Sequence, residues 1–268
     1  MKTTTAYALS VENFFTGCDG WSLAVYYKGS FVSLKEFWEE KGETKSFERD
    51  YSIRLDGIKQ VVKEVSGYLR GRFVLDVGCG PGVAASLFPG DSRIVGLDFS
   101  ISMLRNAKSR IACLLHGSGF SLPFRDYSFD VVTCLFVASD YSNKTGIFYE
   151  AHRVLREDGF LVFSDYSVND EHWRLRRAIR PILGEEGTIF LGDEESLLSE
   201  MRKAGFEAKE TRHVQFAASF KLDRYVRSVD EMDLLRTSSL DLWNDLQRCI
   251  RSKEIEREFI LLVGAKKT

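Results

Sequence analysis

The chain has 268 residues, 44% apolar and 28% charged, with a net charge of −2 and a pI near 6.2. These are the proportions of an ordinary globular protein with room for one sizeable α/β domain, and no overall positive field exists to draw in nucleic acid or anionic lipid. No apolar run reaches the roughly 20 residues of a membrane span, and the five scattered cysteines lack CxxC spacing, which argues against disulfides and zinc and for a reducing, cytoplasmic compartment.

The first 45 residues lack the long apolar core of a signal peptide. They are rich in aromatics, among them Phe14, Phe15, Trp21, Tyr26, Tyr27, Phe31, Phe37 and Trp38. These rings read either as the core of a small packed cap or as a surface facing a ligand. Residues 44–70 predict one amphipathic helix, because Phe47, Tyr51, Leu55, Ile58, Val62, Val65 and Leu69 recur at steps of three and four. Gly71 suits the position just past its end.

Strands and helices then alternate. "RFVLDVG" predicts a buried strand, with a helix opening near Pro81. "SRIVGLD" is a second strand, followed by a helix over residues 102–110. "IACLLHG" is a third strand and "SFDVVTCLFVA" a fourth. "TGIFYEAHRVLRE" is helical, with Phe148, Ala151 and Leu155 on one face, and "GFLVFSDYS" is a fifth strand. "DEESLLSEMRKAGF" opens with an acidic turn, as a helix should, and Gly205 ends it. "EAKETRHVQFA" and "REFILLVGAKK" supply two late strands. The pattern predicts a doubly wound α/β fold, a mostly parallel seven-stranded sheet with helices on both faces. Residues 1–45 form a helical, aromatic N-terminal cap on this reading, and 46–268 the main domain, with insertions near 167–192 and 218–255. Ligands of such sheets bind beyond the carboxyl ends of the strands.

The stretch "VLDVGCGPG" runs straight off the first of these strands. Gly78, Gly80 and Gly82 allow a tight turn that a ligand can approach, and the helix behind it offers free N–H groups. The dinucleotide fingerprint needs glycine at position 83, where Val83 stands, and no P-loop ending follows. Asp98 ends the second strand about 20 residues on, where a carboxylate accepts hydrogen bonds from both hydroxyls of a ribose. The bland alternative is a cap on the next helix.

Together "VLDVGCGPG", "VGLDFSISML", "LPFRDYSFDVV" and "EAHRVLREDGFLVF" resemble the class I, Rossmann-like S-adenosylmethionine-dependent methyltransferases, nearest the branch with the ubiquinone and menaquinone C-methyltransferases. The resemblance covers roughly residues 47–217 and the last strand, which it makes antiparallel. It implies that S-adenosylmethionine is the cofactor and that the turn Gly78-Cys79-Gly80 with Gly82 cradles the methionine part, Asp76 lying near its amino group. It implies that Asp98 holds the ribose, that Phe99 and Met103 flank the adenine, and that Leu135 and Phe136 close the site. Relatives usually carry an aspartate four residues before "LPF"; here Ser118 stands there, followed by Gly119 and Phe120 as further adenine contacts.

In-line methyl transfer asks the protein mainly to align two reactants and exclude water, with a base only for hydroxyl, thiol or acidic-carbon acceptors. Groups that could face the acceptor are Asp140 and Tyr141 after the fourth strand, and Tyr166, His172 and Trp173 after the fifth. The plainer reading of Asp140 is a helix cap, and that of His172 a place on a solvated face beside Arg174, Arg176, Arg177 and Arg180. The N-P-P-Y-type motif of nucleic-acid and protein methylation is absent. No carboxylate cluster for a metal is evident. The expected substrate is a small molecule of apolar or aromatic character, held under the N-terminal segment and the insertions, with the protein a monomer or homodimer. A non-catalytic cofactor-binding sensor or partner subunit, an RNA or protein methyltransferase, and a nicotinamide-dependent oxidoreductase are the rivals.

Overall fold

A computed structural model describes residues 24–27, 30–45, 47–52, 54–137, 141, 143–184, 191, 193–226 and 228–267. Strands β1 (Ala24–Tyr27) and β2 (Ser30–Ser33) pair as an antiparallel hairpin. Helix α1 (Leu34–Glu43) follows, opened by a capping box between Ser33 and Glu36. Phe14, Phe15 and Trp21, expected in the cap, lie outside the described residues.

The helix predicted over residues 44–70 is divided into α2 (Phe47–Ser52) and α3 (Leu55–Leu69). The Arg54 amide donates to the Tyr51 carbonyl at 3.1 Å, closing a turn between the two. Arg54 itself is only 7% exposed and ends inside the protein rather than along a solvated helix face. The strong apolar stripe of α3 (Ile58, Val61, Val62, Val65, Leu69) is buried against one face of the sheet.

The alternation beyond it matches expectation. The strands are β3 (Phe73–Val77), β4 (Arg93–Asp98), β5 (Cys113–His116), β6 (Phe129–Leu135), β7 (Leu155–Tyr166), β8 (Phe206–Ser219) and β9 (Glu254–Lys266). They form one seven-stranded sheet in the order β5-β4-β3-β6-β7-β9-β8. Pairs from β5 to β7 are parallel, and β9 runs antiparallel to both of its neighbours. Helices α4 (Ile101–Ala107), α5 (Thr145–Val154) and α7 (Glu194–Lys203) complete the covering layers. The Val- and Leu-rich central strands are buried on both faces, giving two apolar cores divided by the sheet.

One predicted element is missing. No α-helix follows Pro81; the chain makes turns and a single 3₁₀ turn at Ala85–Leu87. Gly82 has φ +77°, which an α-helix does not accept, and Pro89 arrives before two full turns could form. The insertions are helical: α6 (Glu171–Ile182), α8 (Val229–Ser238) and α9 (Leu240–Ser252) share a third apolar cluster around Leu175, Tyr225, Leu235 and Leu246. None of the described helices is long and apolar enough to cross a membrane.

Helix α1 is fastened to α4. Glu39 accepts hydrogen bonds from the Ile101 and Ser102 amides at 2.7 and 2.9 Å, satisfying orphan donors at the α4 N-terminus. Asn106 Nδ2 donates to the Gly42 carbonyl at 2.9 Å. Replacing Glu39 with alanine should therefore cost about 1 kcal/mol in a urea titration, the usual value of a lost helix cap. An unchanged midpoint would show that this dock carries no stability.

Candidate functional site

The turn after β3 is held against β4 by its own backbone. The Gly78 and Cys79 amides both donate to the Leu97 carbonyl, at 2.7 and 3.0 Å. Gly78 has φ +67°, and a Cβ there would meet Val137 Cγ2 at 2.4 Å. Side chains are thus excluded twice, by conformation and by the end of β6. Gly82 serves packing: a Cβ on it would crowd Ile111 and Arg110 at 3.2–3.3 Å.

Asp98 is fixed by the same turn. One carboxylate oxygen accepts from Gly80 N at 2.8 Å and the other from Ser100 N at 2.8 Å. Each oxygen keeps a lone pair for a further donor, the arrangement that two vicinal hydroxyls fit. The N-terminus of α4 is capped by Ser100, whose hydroxyl accepts from Met103 N, so the simple helix-cap reading of Asp98 does not account for it. Burial raises the Asp98 pKa to about 6, opposed by those two amides. Asp76, on the neighbouring strand β3, accepts from Thr133 Oγ1 at 2.6 Å, and burial lifts its pKa to about 7.

A cavity opens at the carboxyl ends of β3, β4, β5 and β6. Its lining includes Gly78, Asp98, Phe99, Ser118, Gly119, Phe120 and Tyr141 from the sequence reading. It also includes Lys35, Val77, Leu97, Gly117, Val137 and Ile147, which that reading missed. Lys35 arrives on the first turn of α1 and Ile147 on α5, so only the packing of distant helices brings them in. The Ser118 hydroxyl accepts from Phe120 N at 3.2 Å; what remains to it is one lone pair and its proton. Phe120 and Tyr141 meet edge to face with centroids 4.9 Å apart.

Other predicted site residues stand elsewhere. Met103 is 2% exposed and Cys79 5%; neither lines the cavity. Leu135 is buried in the core on the α3 side of the sheet, and the Phe136 ring packs against the same core. Phe136 has φ +60° and its amide donates to the Ser164 carbonyl at 2.7 Å, which turns its ring toward Tyr166 and Phe259. Asp140 lies outside the described residues. The start of α5 is served instead by Asn143, which accepts from Thr145 N, and by Glu200, which accepts from Lys144 N.

His172 is on α6, not in the cavity. It is not on a solvated face either, since its Nδ1 shares a hydrogen bond with the Tyr225 hydroxyl at 2.5 Å. Burial, and then Arg257, Arg176, Arg224 and Arg180, hold its pKa well below the ordinary value. A neutral imidazole with so low a proton affinity makes a weak general base.

Two residues unnoticed as site candidates stand over the glycine turn. A Cβ on Gly80 would lie 3.1 Å from the Tyr51 hydroxyl, and the Arg54 guanidinium lies over the Tyr51 ring at 4.1 Å. Both come from the break between α2 and α3. The glycine turn and the anchored carboxylate fit S-adenosylmethionine by their chemistry: a bare backbone for its amino-acid part and an acceptor pair for its ribose. Among the described residues no group of three or more His, Cys, Asp or Glu could hold a metal ion.

Residues 75–163 match the Methyltransferase domain family. An uncharacterised Methanocaldococcus jannaschii protein, MJ1252, is 28% identical over 158 residues, 58% of this chain and 60% of that protein. The demethylmenaquinone methyltransferase of Alkalihalophilus pseudofirmus is 27% identical over 207 residues, 66% of this chain and 86% of that one. Among solved structures, a Bacillus halodurans protein assigned to the methyltransferases superposes with a TM-score of 0.61 at 20% identity, covering 78% of this chain and 99% of that chain. A Haemonchus contortus enzyme solved as an N-methyltransferase with S-adenosylhomocysteine gives 0.57 at 17% identity, covering 88% and 61%. The chain is thus similar to S-adenosylmethionine-dependent methyltransferases: the family match lies within residues 75–163, and the solved structures share its fold. The chain spans 60% of the length of the first of these relatives.

Proposed function

We propose that this protein transfers the methyl group of S-adenosylmethionine to a small-molecule acceptor of apolar or aromatic character. The observation that carries the reading is the anchored Asp98 carboxylate, facing a cavity that also holds Gly78, Phe99 and Ser118. The cofactor supplies an electrophilic methyl on a sulfonium; the acceptor's electron pair forms the new bond while the old bonding pair stays on sulfur. The chain's part is to hold and to exclude water. Asp98 takes the ribose hydroxyls, Asp76 the amino group, and Phe99 and Phe120 the adenine faces. Helix α1 and the helices of the two insertions act as the roof.

The titration of the two aspartates gives a check. Their pKa values, from 3.8 in the open chain to about 7 and about 6, mean that the folded protein holds protons the unfolded chain has released. The contribution of these two carboxyls to unliganded stability therefore falls as pH rises from about 4 to about 7 and levels off beyond. A ligand that hydrogen-bonds the ionised carboxylates offsets that loss. The rise in melting temperature given by S-adenosylhomocysteine should be larger at pH 8 than at pH 5. Equal rises would contradict the assignment of both aspartates.

The function itself is tested with S-adenosylmethionine labelled in its methyl group and a panel of acceptors. Label should reach a small aromatic or apolar molecule. Label reaching only RNA or a folded protein would overturn the reading.

A further inference from the structure

A line of contacts leads from the glycine turn along the strand ends to a second polar group. Tyr51 stands over the turn, Arg54 lies on the Tyr51 ring, and Arg54 Nη1 donates to the Tyr166 hydroxyl. Around the Tyr166 ring stand Trp173, centroid to centroid at 5.2 Å, and the Arg257 guanidinium at 5.7 Å. Tyr166 ends β7, Trp173 belongs to α6 and Arg257 to β9, so three separate elements converge.

This group has donors in excess. Arg257 has a side chain 1% exposed, yet its Nη1 has no hydrogen-bond partner, and neither has the buried Trp173 Nε1. The Tyr166 oxygen accepts from Arg54, and no acceptor for its own proton is found among the described residues. The carboxylate bound into the cluster, Asp170, is already engaged: Oδ1 takes Trp173 N, and Oδ2 takes Arg257 Nε and Glu258 N. Asp165 and Glu258 are one residue from Tyr166 and Arg257 along their strands, so they point to the opposite sheet face. Buried donors left without acceptors cost roughly 1–3 kcal/mol each, and a protein that keeps several together has a use for them. Aromatic rings pack around them, including Phe136 at 5.8 Å from Tyr166. Phe136 and Trp173 at the edge of the cluster remain partly exposed.

We propose that the Tyr166–Trp173–Arg257 cluster binds an anionic group, a carboxylate or a phosphate, on a planar methyl acceptor. The inference rests on the methyltransferase reading above, since it places the acceptor beside the methionine end of the cofactor. The oxyanion accepts from Arg257 Nη1, Trp173 Nε1 and the Tyr166 hydroxyl, and the apolar body lies against Phe136. His172 supports the assignment, because four arginines and no carboxylate lead the charges acting on it after burial.

The test is calorimetry on the full chain saturated with S-adenosylhomocysteine, titrated with benzoate, phenyl phosphate, benzamide and benzylamine. Benzoate or phenyl phosphate should bind, and the tighter of the two identifies the anion. The neutral and cationic analogues should bind about tenfold more weakly or not at all, the value of one hydrogen bond to a charged group. Trp173→Phe and Tyr166→Phe each keep a ring and remove a donor. Each should weaken the anion about tenfold and leave S-adenosylhomocysteine affinity unchanged. Benzamide binding as tightly as benzoate, or both variants binding the anion like the parent, would overturn the proposal while leaving the methyltransferase reading intact. Failure of S-adenosylhomocysteine to bind at all would overturn both.

Discussion

Replacing Asp98 with asparagine lowers the affinity for S-adenosylhomocysteine by about a hundredfold or more while the protein stays folded. The magnitude follows from two hydrogen bonds to a charged acceptor, each contributing about 1.5–3 kcal/mol. Asparagine keeps one acceptor oxygen for either the Gly80 or the Ser100 amide, which Asp98 now holds at 2.8 Å each, and replaces the other with a donor. Alanine at this position confuses the outcome, because it strands both amides and loosens the turn. Titration calorimetry on the asparagine variant separates the two effects. Parental affinity would remove Asp98 from the cofactor site.

What could be read from the sequence was whatever is local. The turn, Asp98 and the strand runs are continuous in the chain, and their physics depends on near neighbours. "DVGCGPG" announces a bare turn because glycine's freedom needs no tertiary context. The site's other half is assembled at a distance. Lys35 reaches the cavity because Glu39 and Asn106 fasten α1 to α4, and no periodicity encodes that. The helix read across residues 44–70 shows why: Tyr51 kept the apolar phase, so the pattern ran on through the break. Arg54 was the available signal, a cation next to the apolar positions Leu55 and Ile58 of the stripe. The helix expected after Pro81 failed because Gly82 was counted as part of a ligand-binding device. Its φ of +77° and its contact with Ile111 mark it as a packing position that ends regular structure.

The second large effect is on stability. Arg257 and Asp170 form an ion pair at 2.8 Å with side chains 1% and 0% exposed. Arg257→Met leaves Asp170 charged, buried and short of its counterion, and should cost about 3–5 kcal/mol in a urea titration at neutral pH. The Asp170→Asn, Arg257→Met double variant should recover much of that loss, because desolvation is the largest influence on Asp170 and keeps its pKa raised even beside the arginine. The asparagine still accepts from Trp173 N and so keeps the α6 cap. A single variant within about 1 kcal/mol of the parent would show that the pair contributes little, as is usual only for exposed pairs.

The account stands most directly on where the cofactor's nucleoside sits. A crystal structure of the protein with S-adenosylhomocysteine should show both ribose hydroxyls within hydrogen-bond distance of Asp98 and the adenine between Phe99 and the Ser118–Phe120 segment. A nucleoside bound away from that carboxylate, or its absence from the cavity at saturating concentration, would contradict it.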